Sequence, residues 1–497
     1  MRTFIISILF VVCGVLGFLC QMLYANYFGS GKEMDIYFSL LSIPAIITGA
    51  TGTIFSSLFF PTFARFEKSK LDDYIYKVKI YVSRIALIIS IVGFGITYLN
   101  LSNIIDTDAS DYYNLALLLS SLFWLNGYIS IVNGYLASVQ NYFRNFLIVS
   151  STQLLVYVFI ILSVVLLHDV LGVRSIAAGM VCSAIVSLII NRYYGNLFHK
   201  SNANVKIEST KLISRVCMII ISFLPFHAFA SIAYLWAGRL EYVGGISLLG
   251  YSHSFGGFLS TAASMGMATV AFPDMARNLA STDSEIVHKG LISFRGQLEV
   301  VFIFASFVAV FASLFAHPII EILFMRGEFT GESVNNLSAV LPFYFIDGVL
   351  ISIMNITRNV FYSLEKQKIF AIISAVVTIM FLGCSVIIAN NVDYVGVGVF
   401  EALAMAIFVL LSLGHINSYN SIFSIRYIIN LMGQICILIA AAFVSFYVYN
   451  LTLAMQINNL LSLVVAGLVY VAIVDIILSK VFKSAVFCAV NKKVFRS

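Results

Sequence analysis

The amino-acid sequence predicts an all-α polytopic membrane protein with about fourteen transmembrane helices. Three observations predict it: an apolar composition, a series of long apolar segments, and basic residues that fall on one side of those segments. Of 497 residues, 61% are hydrophobic and 10% are charged, whereas a soluble domain is about half apolar and about a quarter charged. Because a soluble core could not bury this much apolar surface, the composition excludes a soluble enzyme, a nucleic-acid-binding protein and a disordered scaffold.

The apolar segments have the length that a bilayer requires, since a spanning helix needs about 20 mostly apolar residues. The first segment follows Arg2, is too long for the apolar part of a signal peptide and lacks a cleavage site, so we expect it to be retained. The fourteen predicted spans are 3–24, 36–62, 79–100, 113–139, 147–168, 172–193, 212–238, 243–272, 299–325, 337–364, 368–390, 394–415, 425–450 and 456–482.

The basic residues test this number of spans. With the N-terminus in the cytoplasm, 25 of the 29 lysines and arginines fall on the cytoplasmic side, as the positive-inside rule expects. The sequence therefore predicts a multi-pass membrane protein with both termini in the cytoplasm. The four basic residues on the outer side are Lys32, Arg174, Arg239 and Arg326.

A short repeat divides the predicted spans into two sets. Residues 59–65 and 271–277 share a Phe-Pro-x-x-Ala-Arg pattern at the ends of spans 2 and 8. This spacing predicts two six-helix lobes in a parallel pseudo-repeat, an architecture typical of transporters. The predicted divisions are an N-lobe at 1–193, a cytoplasmic linker at 194–211, a C-lobe at 212–415, and two further helices with a cytoplasmic tail at 416–497.

Spans 2 and 8 are the most polar of their lobes, rich in glycine, serine and threonine. Two interpretations remain open for them. Small residues let helices pack closely, and hydroxyl groups also line water-filled cavities in transporters.

Ionisable residues within the predicted spans are few. Asp347 and Glu401 are expected near the outer ends of spans 10 and 12, where water solvates them, and His253 is expected to pack, cap or bind an anion. No P-loop, HExxH or GxSxG motif is present, and no carboxylate pair is expected where a site could form. The seven cysteines show neither disulfide nor zinc spacing. The sequence therefore predicts no enzymatic activity, no cofactor and no metal site.

Several segments, taken in order, resemble one transporter family. They are residues 15–44, 59–61, 272–277, 323–330 and 358–363. Together they resemble the MurJ (MviN) lipid II flippases of the multidrug/oligosaccharidyl-lipid/polysaccharide exporter (MOP) superfamily. The resemblance implies alternating access through a V-shaped cavity between two lobes. It also implies that the protein lies in the bacterial cytoplasmic (inner) membrane and moves an undecaprenyl-diphosphate-linked saccharide from the inner to the outer leaflet.

The chain departs from the family at the cavity arginines, which the resemblance places on spans 1, 2 and 8. An alignment without gaps puts Gly14 and Cys20 at the two span-1 positions and Ser254 at about the span-8 position, and no arginine lies between Arg2 and Arg65. Spans 7 and 11, which carry the sodium-binding aspartates of some family members, contain no acidic residue. An O-antigen, capsule or exopolysaccharide unit is therefore as consistent with the sequence as lipid II.

A diphosphate in the membrane needs hydrogen-bond donors, preferably cationic ones. Arg239 and His253 are predicted to supply charge, and Asp35 is predicted to orient Lys32 or Arg239. The predicted substrate-binding residues are Gln21, Asn26, Asp35, Arg239, His253 and Ser254.

The predicted partners are a lipid-linked glycan precursor and membrane lipid, with glycan assembly enzymes as further candidates and no nucleic acid. Two alternatives remain open. One is a drug/cation antiporter of the same superfamily, which would need a carboxylate within the membrane part of the first lobe. The one acidic residue of the spans in that lobe is Asp35, at the N-terminal end of span 2. The other is a transport-inactive scaffold for glycan assembly.

Overall fold

The computed structural model describes residues 2–49, 51, 55, 63, 68–101, 110–194, 209–238, 242–270, 275, 278–279, 281, 283–388, 392–419 and 421–480. These residues form fifteen α-helices and contain no β-strand. In chain order the helices are α1 Arg2–Phe28, α2 Lys32–Thr48, α3 Lys68–Leu99, α4 Ser110–Tyr142, α5 Phe146–Leu171, α6 Arg174–Tyr194, α7 Ser209–Ala237, α8 Gly245–Val270, α9 Ser284–Leu314, α10 Ala316–Phe324, α11 Gly331–Ser363, α12 Gln367–Ile388, α13 Tyr394–Tyr419, α14 Ile425–Ala454 and α15 Asn459–Lys480.

The all-helical membrane fold predicted from the sequence is confirmed. Within the described ranges, ten helices are long and apolar enough to cross a membrane, and Val12–Phe28 is a shorter apolar helix. Every predicted span overlaps at least one helix. Large apolar side chains face outward, as Leu166 (71% exposed) and Val170 (81% exposed) do on α5, which is the surface that lipid covers.

The ninth predicted span differs from the structure in its bounds. It begins earlier than expected because Asp283 caps α9, its Oδ1 accepting from the Glu285 N–H at 2.8 Å. It is also interrupted at Phe315, where α9 ends and α10 begins. Pro318 explains the break, since a proline cannot donate to the carbonyl four residues earlier, at Leu314, and its ring clashes with that carbonyl.

The chain forms two compact units. Unit 1 contains residues 1–250, 327–329 and 374–394. Unit 2 contains residues 251–326, 330–373 and 395–497. The predicted lobe boundaries at 193 and 212 stay a prediction.

In unit 1, α4 packs against α2, α3 and α6, while α5 packs against α1 and α6. Small residues set these close contacts: a Cβ on Gly93 would lie 2.1 Å from the Trp124 ring, and one on Gly179 would lie 2.8 Å from the Ile160 Cα. The Trp124 indole N–H donates to the Thr97 hydroxyl at 3.0 Å. This hydrogen bond pairs two buried polar groups between α3 and α4.

In unit 2, α9 packs against α11 and α14, and α14 packs against α15. Stacked aromatic rings fill this contact, with 4.4 Å between the centroids of Phe311 and Phe315 and 4.8 Å between those of Phe307 and Tyr470. The Asn459 amide donates to the Glu321 carboxylate at 2.9 Å, which joins α15 to α10. The two helices after the predicted repeat therefore belong to the core of this unit.

Candidate functional site

Asp35 on α2 binds the N-terminus of α8 within unit 1. Its Oδ2 accepts from the Gly244 N–H and its Oδ1 from the Ser247 N–H, both at 2.7 Å. The first N–H groups of a helix have no acceptor within the helix, and a carboxylate there also complements the helix dipole. Gly244 has no side chain to cap the helix itself, so Asp35 supplies the capping carboxylate from a different helix.

Gly244 is required at this position for two reasons. Its φ of +93° lies in the left-handed region, and a Cβ would lie 2.4 Å from the Ser30 carbonyl oxygen. The partners predicted for Asp35 were Lys32 or Arg239. Lys32 Nζ instead lies 4.9 Å from the centroid of the Tyr112 ring, and Arg239 falls outside the described residues.

Gln21 and Asn26 lie on α1 in unit 1, and both are half-buried. Gln21 Oε1 is buried with no hydrogen-bond partner among the described residues. The Asn26 carbonyl accepts from the Glu328 N–H at 3.0 Å. Gly327 approaches so closely that a Cβ would lie 2.1 Å from the Asn26 oxygen. The end of α1 is thus held against the segment 327–329.

In unit 2, three glycines bring α8, α11 and α13 together. A Cβ on Gly256 would lie 2.5 Å from the Tyr344 carbonyl oxygen, and one on Gly348 would lie 2.6 Å from the Gly256 oxygen. A Cβ on Gly398 would lie 3.2 Å from the Tyr344 ring. Close backbone approach at small residues is a general feature of helix packing in membranes, and here it centres on the part of α11 around Tyr344.

Each of these helices carries an ionisable residue beside its glycine. His253 precedes Gly256 by about one turn of α8, Asp347 adjoins Gly348 on α11, and Glu401 follows Gly398 by about one turn of α13. One ligand atom from each of the three lies within 4.8 Å of the other two. We call His253, Asp347 and Glu401 the His–Asp–Glu cluster.

The cluster is deeply buried except at the histidine. Asp347 is 3% exposed and Glu401 is 1% exposed, whereas the His253 side chain is 29% exposed. The Tyr344 hydroxyl donates to Glu401 Oε2 at 2.6 Å. His253 Nδ1 lies 3.8 Å from Glu401 Oε1, which is beyond hydrogen-bond distance. His253 Nδ1 and Asp347 Oδ1 are buried and have no hydrogen-bond partner among the described residues.

Two expectations from the sequence are wrong here. Asp347 and Glu401 are not solvated near helix ends but buried between helices, and a carboxylate pair does occupy a position where a site could form. The glycine contacts explain both corrections, because they bring three helices close enough to exclude water. One signal was present in the sequence, since each ionisable residue lies next to a glycine or one turn from one.

Of the predicted substrate-binding residues, Gln21, Asn26 and Asp35 lie in unit 1, while His253 and Ser254 are consecutive on α8 in unit 2. Their shared role in binding substrate stays a prediction. The hydroxyls of α2 and α8 support the packing interpretation where they are buried and bond to their own helix. Ser42 does so with the Ser39 carbonyl at 2.8 Å, and Ser264 with the Ser260 carbonyl at 2.7 Å.

Comparison with known proteins identifies the family. Residues 24–485 match the model of the family described as lipid II flippase MurJ. The chain belongs to the MurJ lipid II flippase family. This confirms the resemblance seen in the sequence and, with the apolar helices, makes the protein a multi-pass membrane protein of the inner membrane.

A curated relative and several solved structures agree with this family. The protein named "Probable lipid II flippase MurJ" from Bdellovibrio bacteriovorus is 26% identical over 147 residues, a stretch that covers 29% of this chain and 28% of that protein. The chain thus matches less than a third of that relative's length. A structure of lipid II flippase MurJ in an inward closed conformation superposes with a TM-score of 0.77 at 18% identity, covering 96% of this chain and 100% of that one.

The fold is also shared with a wider group of transporters. An inward-facing multidrug resistance MATE family transporter of the MOP superfamily superposes with a TM-score of 0.62 at 15% identity, covering 82% of this chain and 95% of that one. At these identities the structural likeness concerns the fold alone. The family assignment rests on the match over residues 24–485.

Proposed function

We propose that this MurJ family member is a flippase that moves an undecaprenyl-diphosphate-linked saccharide across the cytoplasmic membrane by alternating access. The observation that carries the proposal is the family match over residues 24–485, together with a MurJ-like fold over 96% of the chain. The cargo is either lipid II or an O-antigen, capsule or exopolysaccharide unit.

The first helix favours a cargo-binding mode different from that of relatives with cavity arginines. Gly14 and Cys20 stand at the two span-1 positions, and Cys20 is 2% exposed with its Sγ 3.9 Å from the Tyr157 carbonyl oxygen. A buried thiol cannot supply the positive charge that an arginine would offer to a diphosphate. Another source of charge is therefore needed in this chain.

Two experiments test the cargo. Mass spectrometry of membrane lipids after deletion of the gene should reveal one lipid-linked saccharide that accumulates on the inner leaflet. The protein should not rescue a cell that lacks its lipid II flippase, with an authentic lipid II flippase as the positive control. Rescue at matched expression would show that lipid II is accepted without the cavity arginines.

Variants of Arg239 and His253 test the predicted substrate site. Loss of a hydrogen bond to a charged group costs about 1.5–3 kcal/mol, or about tenfold or more in binding. We expect Arg239→Ala to reduce export of the native saccharide by about that factor at unchanged protein level. Arg326→Ala is the matched control, because Arg326 is exposed and, like Arg239, is an arginine predicted on the outer side. Full export by an Arg239→Ala, His253→Ala double variant would contradict this site.

The alternatives predict different results. A drug/cation antiporter would use a carboxylate in the first lobe, but the Asp35 carboxylate is bound to two backbone N–H groups of α8. This favours the flippase. A transport-inactive scaffold for glycan assembly would leave the lipid-linked saccharide unflipped in liposomes that contain the purified protein, whereas a flippase would expose it on the opposite leaflet.

The orientation with both termini in the cytoplasm is part of the proposal. Reporter tags at 107 and 453 should be outside, and tags at 70, 203, 285 and 490 should be inside. The support is the distribution of lysine and arginine, 25 of 29 on one side. A strong cytoplasmic signal at 107 would contradict the fourteen-span topology.

A further inference from the structure

We propose that the His–Asp–Glu cluster of unit 2 is a binding site for a divalent cation of the first transition series, such as Mn²⁺ or Zn²⁺. The cluster brings one imidazole nitrogen and two carboxylate oxygens within 4.8 Å of one another. Each donor comes from a different helix, and the glycine contacts between α8, α11 and α13 hold the three in place.

The two buried carboxyl groups of the cluster favour the binding of a cation. Removing two carboxylates from water is costly unless an opposite charge accompanies them, and the cost is greatest within a membrane. Asp347 and Glu401 are 3% and 1% exposed. No lysine or arginine among the described residues forms an ion pair with either of them. A single divalent ion neutralises both charges.

The hydrogen bonding of the cluster points to a ligand rather than to a closed network. Buried polar atoms are nearly always paired, yet Asp347 Oδ1 and His253 Nδ1 have no hydrogen-bond partner within the described parts of the chain. His253 Nδ1 and Glu401 Oε1 lie 3.8 Å apart, which is within ion-pair distance but too far for a hydrogen bond. Tyr344 fixes the other Glu401 oxygen at 2.6 Å, as partners that orient metal ligands do. The three donor atoms lie close together, and Tyr344 occupies only one oxygen of the cluster.

The donor types select the class of ion. Imidazole suits Zn²⁺ and its transition-series neighbours, and carboxylate suits both these and Mn²⁺, whereas alkali and alkaline-earth ions prefer all-oxygen sites. Three protein ligands also leave at least one coordination position open, as in catalytic zinc sites. The exposed side of the cluster is the His253 side, so the open position is reached from there.

The role of the bound ion toward cargo rests on the proposed function, because it requires a cargo that carries a diphosphate. If the cargo carries a diphosphate, the bound ion would offer it an open coordination position and a positive charge. These are what the family's arginines would otherwise supply at positions that are Gly14 and Cys20 here. The cation site itself does not depend on the identity of the cargo.

The first experiment measures Mn²⁺ binding to the purified full chain in detergent, using the electron paramagnetic resonance signal of free Mn²⁺. We expect one tight site. Asp347→Asn, Glu401→Gln and His253→Gln should each weaken it at least about 100-fold, because loss of an orienting partner alone typically costs about 10–100-fold. Nitrogen coupling to the bound Mn²⁺ should disappear in His253→Gln.

The matched control is a His168→Gln, Asp169→Asn variant. His168 and Asp169 form another imidazole–carboxylate pair, 3.2 Å apart, but the Asp169 side chain is 87% exposed. This variant should bind Mn²⁺ as the wild type does. Equal binding by wild type and cluster variants, or stabilisation by Na⁺ alone, would overturn the proposal, as would a cluster that only takes up protons between pH 5 and 9.

The second experiment measures binding of geranyl diphosphate, a soluble prenyl diphosphate, with and without Mn²⁺. We expect binding to weaken at least tenfold after EDTA treatment and to recover with added Mn²⁺. Tight, cluster-dependent Mn²⁺ binding with metal-independent geranyl diphosphate binding would leave the cation site standing and overturn its role toward the diphosphate. Failure of both glycan export and diphosphate binding, with the Mn²⁺ site intact, would contradict the proposed function instead.

Discussion

Two carboxylate sites of this chain, half-buried Asp35 in unit 1 and the buried Asp347–Glu401 pair in unit 2, differ in how their oxygens are bonded. In unit 1, both oxygens of Asp35 accept backbone N–H groups at 2.7 Å, so its charge stabilises the start of α8. In unit 2, Asp347 Oδ1 has no partner among the described residues, and the acid that lies beside it, Glu401, is a second buried carboxyl group. Asp35 caps the N-terminus of α8, whereas the Asp347–Glu401 pair has an oxygen that can bind the proposed cation. The difference shows that the hydrogen-bond partners of each oxygen help to distinguish a structural acid from a binding one.

The largest expected effect comes from separating the helices of the His–Asp–Glu cluster. Gly256→Leu should lower the free energy of unfolding by about 3 kcal/mol or more, because the first added carbon would lie 2.5 Å from the Tyr344 carbonyl oxygen. Unfolding in mixed micelles measures it. Gly257→Leu is the control, since no atom lies within 4 Å of a Cβ at Gly257. Similar losses in both variants would show that the crossing of α8 and α11 does not depend on glycine.

The next largest effect is expected at Asp35, whose two carboxylate oxygens both accept hydrogen bonds. Asp35→Asn should lower stability by about 1.5–3 kcal/mol, because a neutral amide replaces a charged acceptor of two hydrogen bonds. Thermal unfolding of the purified protein measures it. Glu33→Gln, at an exposed position in the same turn of α2, should change stability by less than about 0.5 kcal/mol. If Asp35→Asn is equally neutral, the capping role is wrong.

A smaller effect on stability is expected from loss of the hydrogen bond between Tyr344 and Glu401. Tyr344→Phe removes the 2.6 Å bond to Glu401 Oε2 and should cost about 1 kcal/mol of stability. It should also weaken Mn²⁺ binding about tenfold or more if the tyrosine positions a metal ligand. Tyr447→Phe is the control, because Tyr447 is 65% exposed. A loss of stability with unchanged Mn²⁺ affinity would limit Tyr344 to a packing role.

The smallest effect on stability is expected for Asp347→Asn, in contrast to the loss expected for Asp35→Asn. In metal-free protein, Asp347→Asn should change stability by less than about 0.5 kcal/mol or increase it, because the amide replaces a buried carboxyl group whose Oδ1 makes no hydrogen bond to the described residues. Thermal unfolding in EDTA measures this. Added Mn²⁺ should then stabilise the wild type but not the variant. A loss as large as that of Asp35→Asn would mean that Asp347 is already paired and that the comparison fails.

Sequence reasoning identified His253 and Ser254 as candidates but expected the acids of spans 10 and 12 to be solvated. The glycine at or one turn from each ionisable residue was a usable signal, yet a glycine in a membrane helix also fits simple packing. The sequence likewise singled out Asp35 but suggested Lys32 or Arg239 as its partner. Asp35 instead binds backbone N–H groups at the start of the helix that begins at Gly245. Every residue except proline has a backbone N–H group, so residue types alone do not identify this partner.

Hydropathy and charge along the chain were enough to predict a membrane protein made of helices, because the length of a span and the positive-inside rule are local properties. Short segments in order were enough to predict the family. The meeting of His253, Asp347 and Glu401 was decided only by the tertiary structure. These residues lie on three helices distant in sequence, and close contact at Gly256, Gly348 and Gly398 determines which faces of those helices meet.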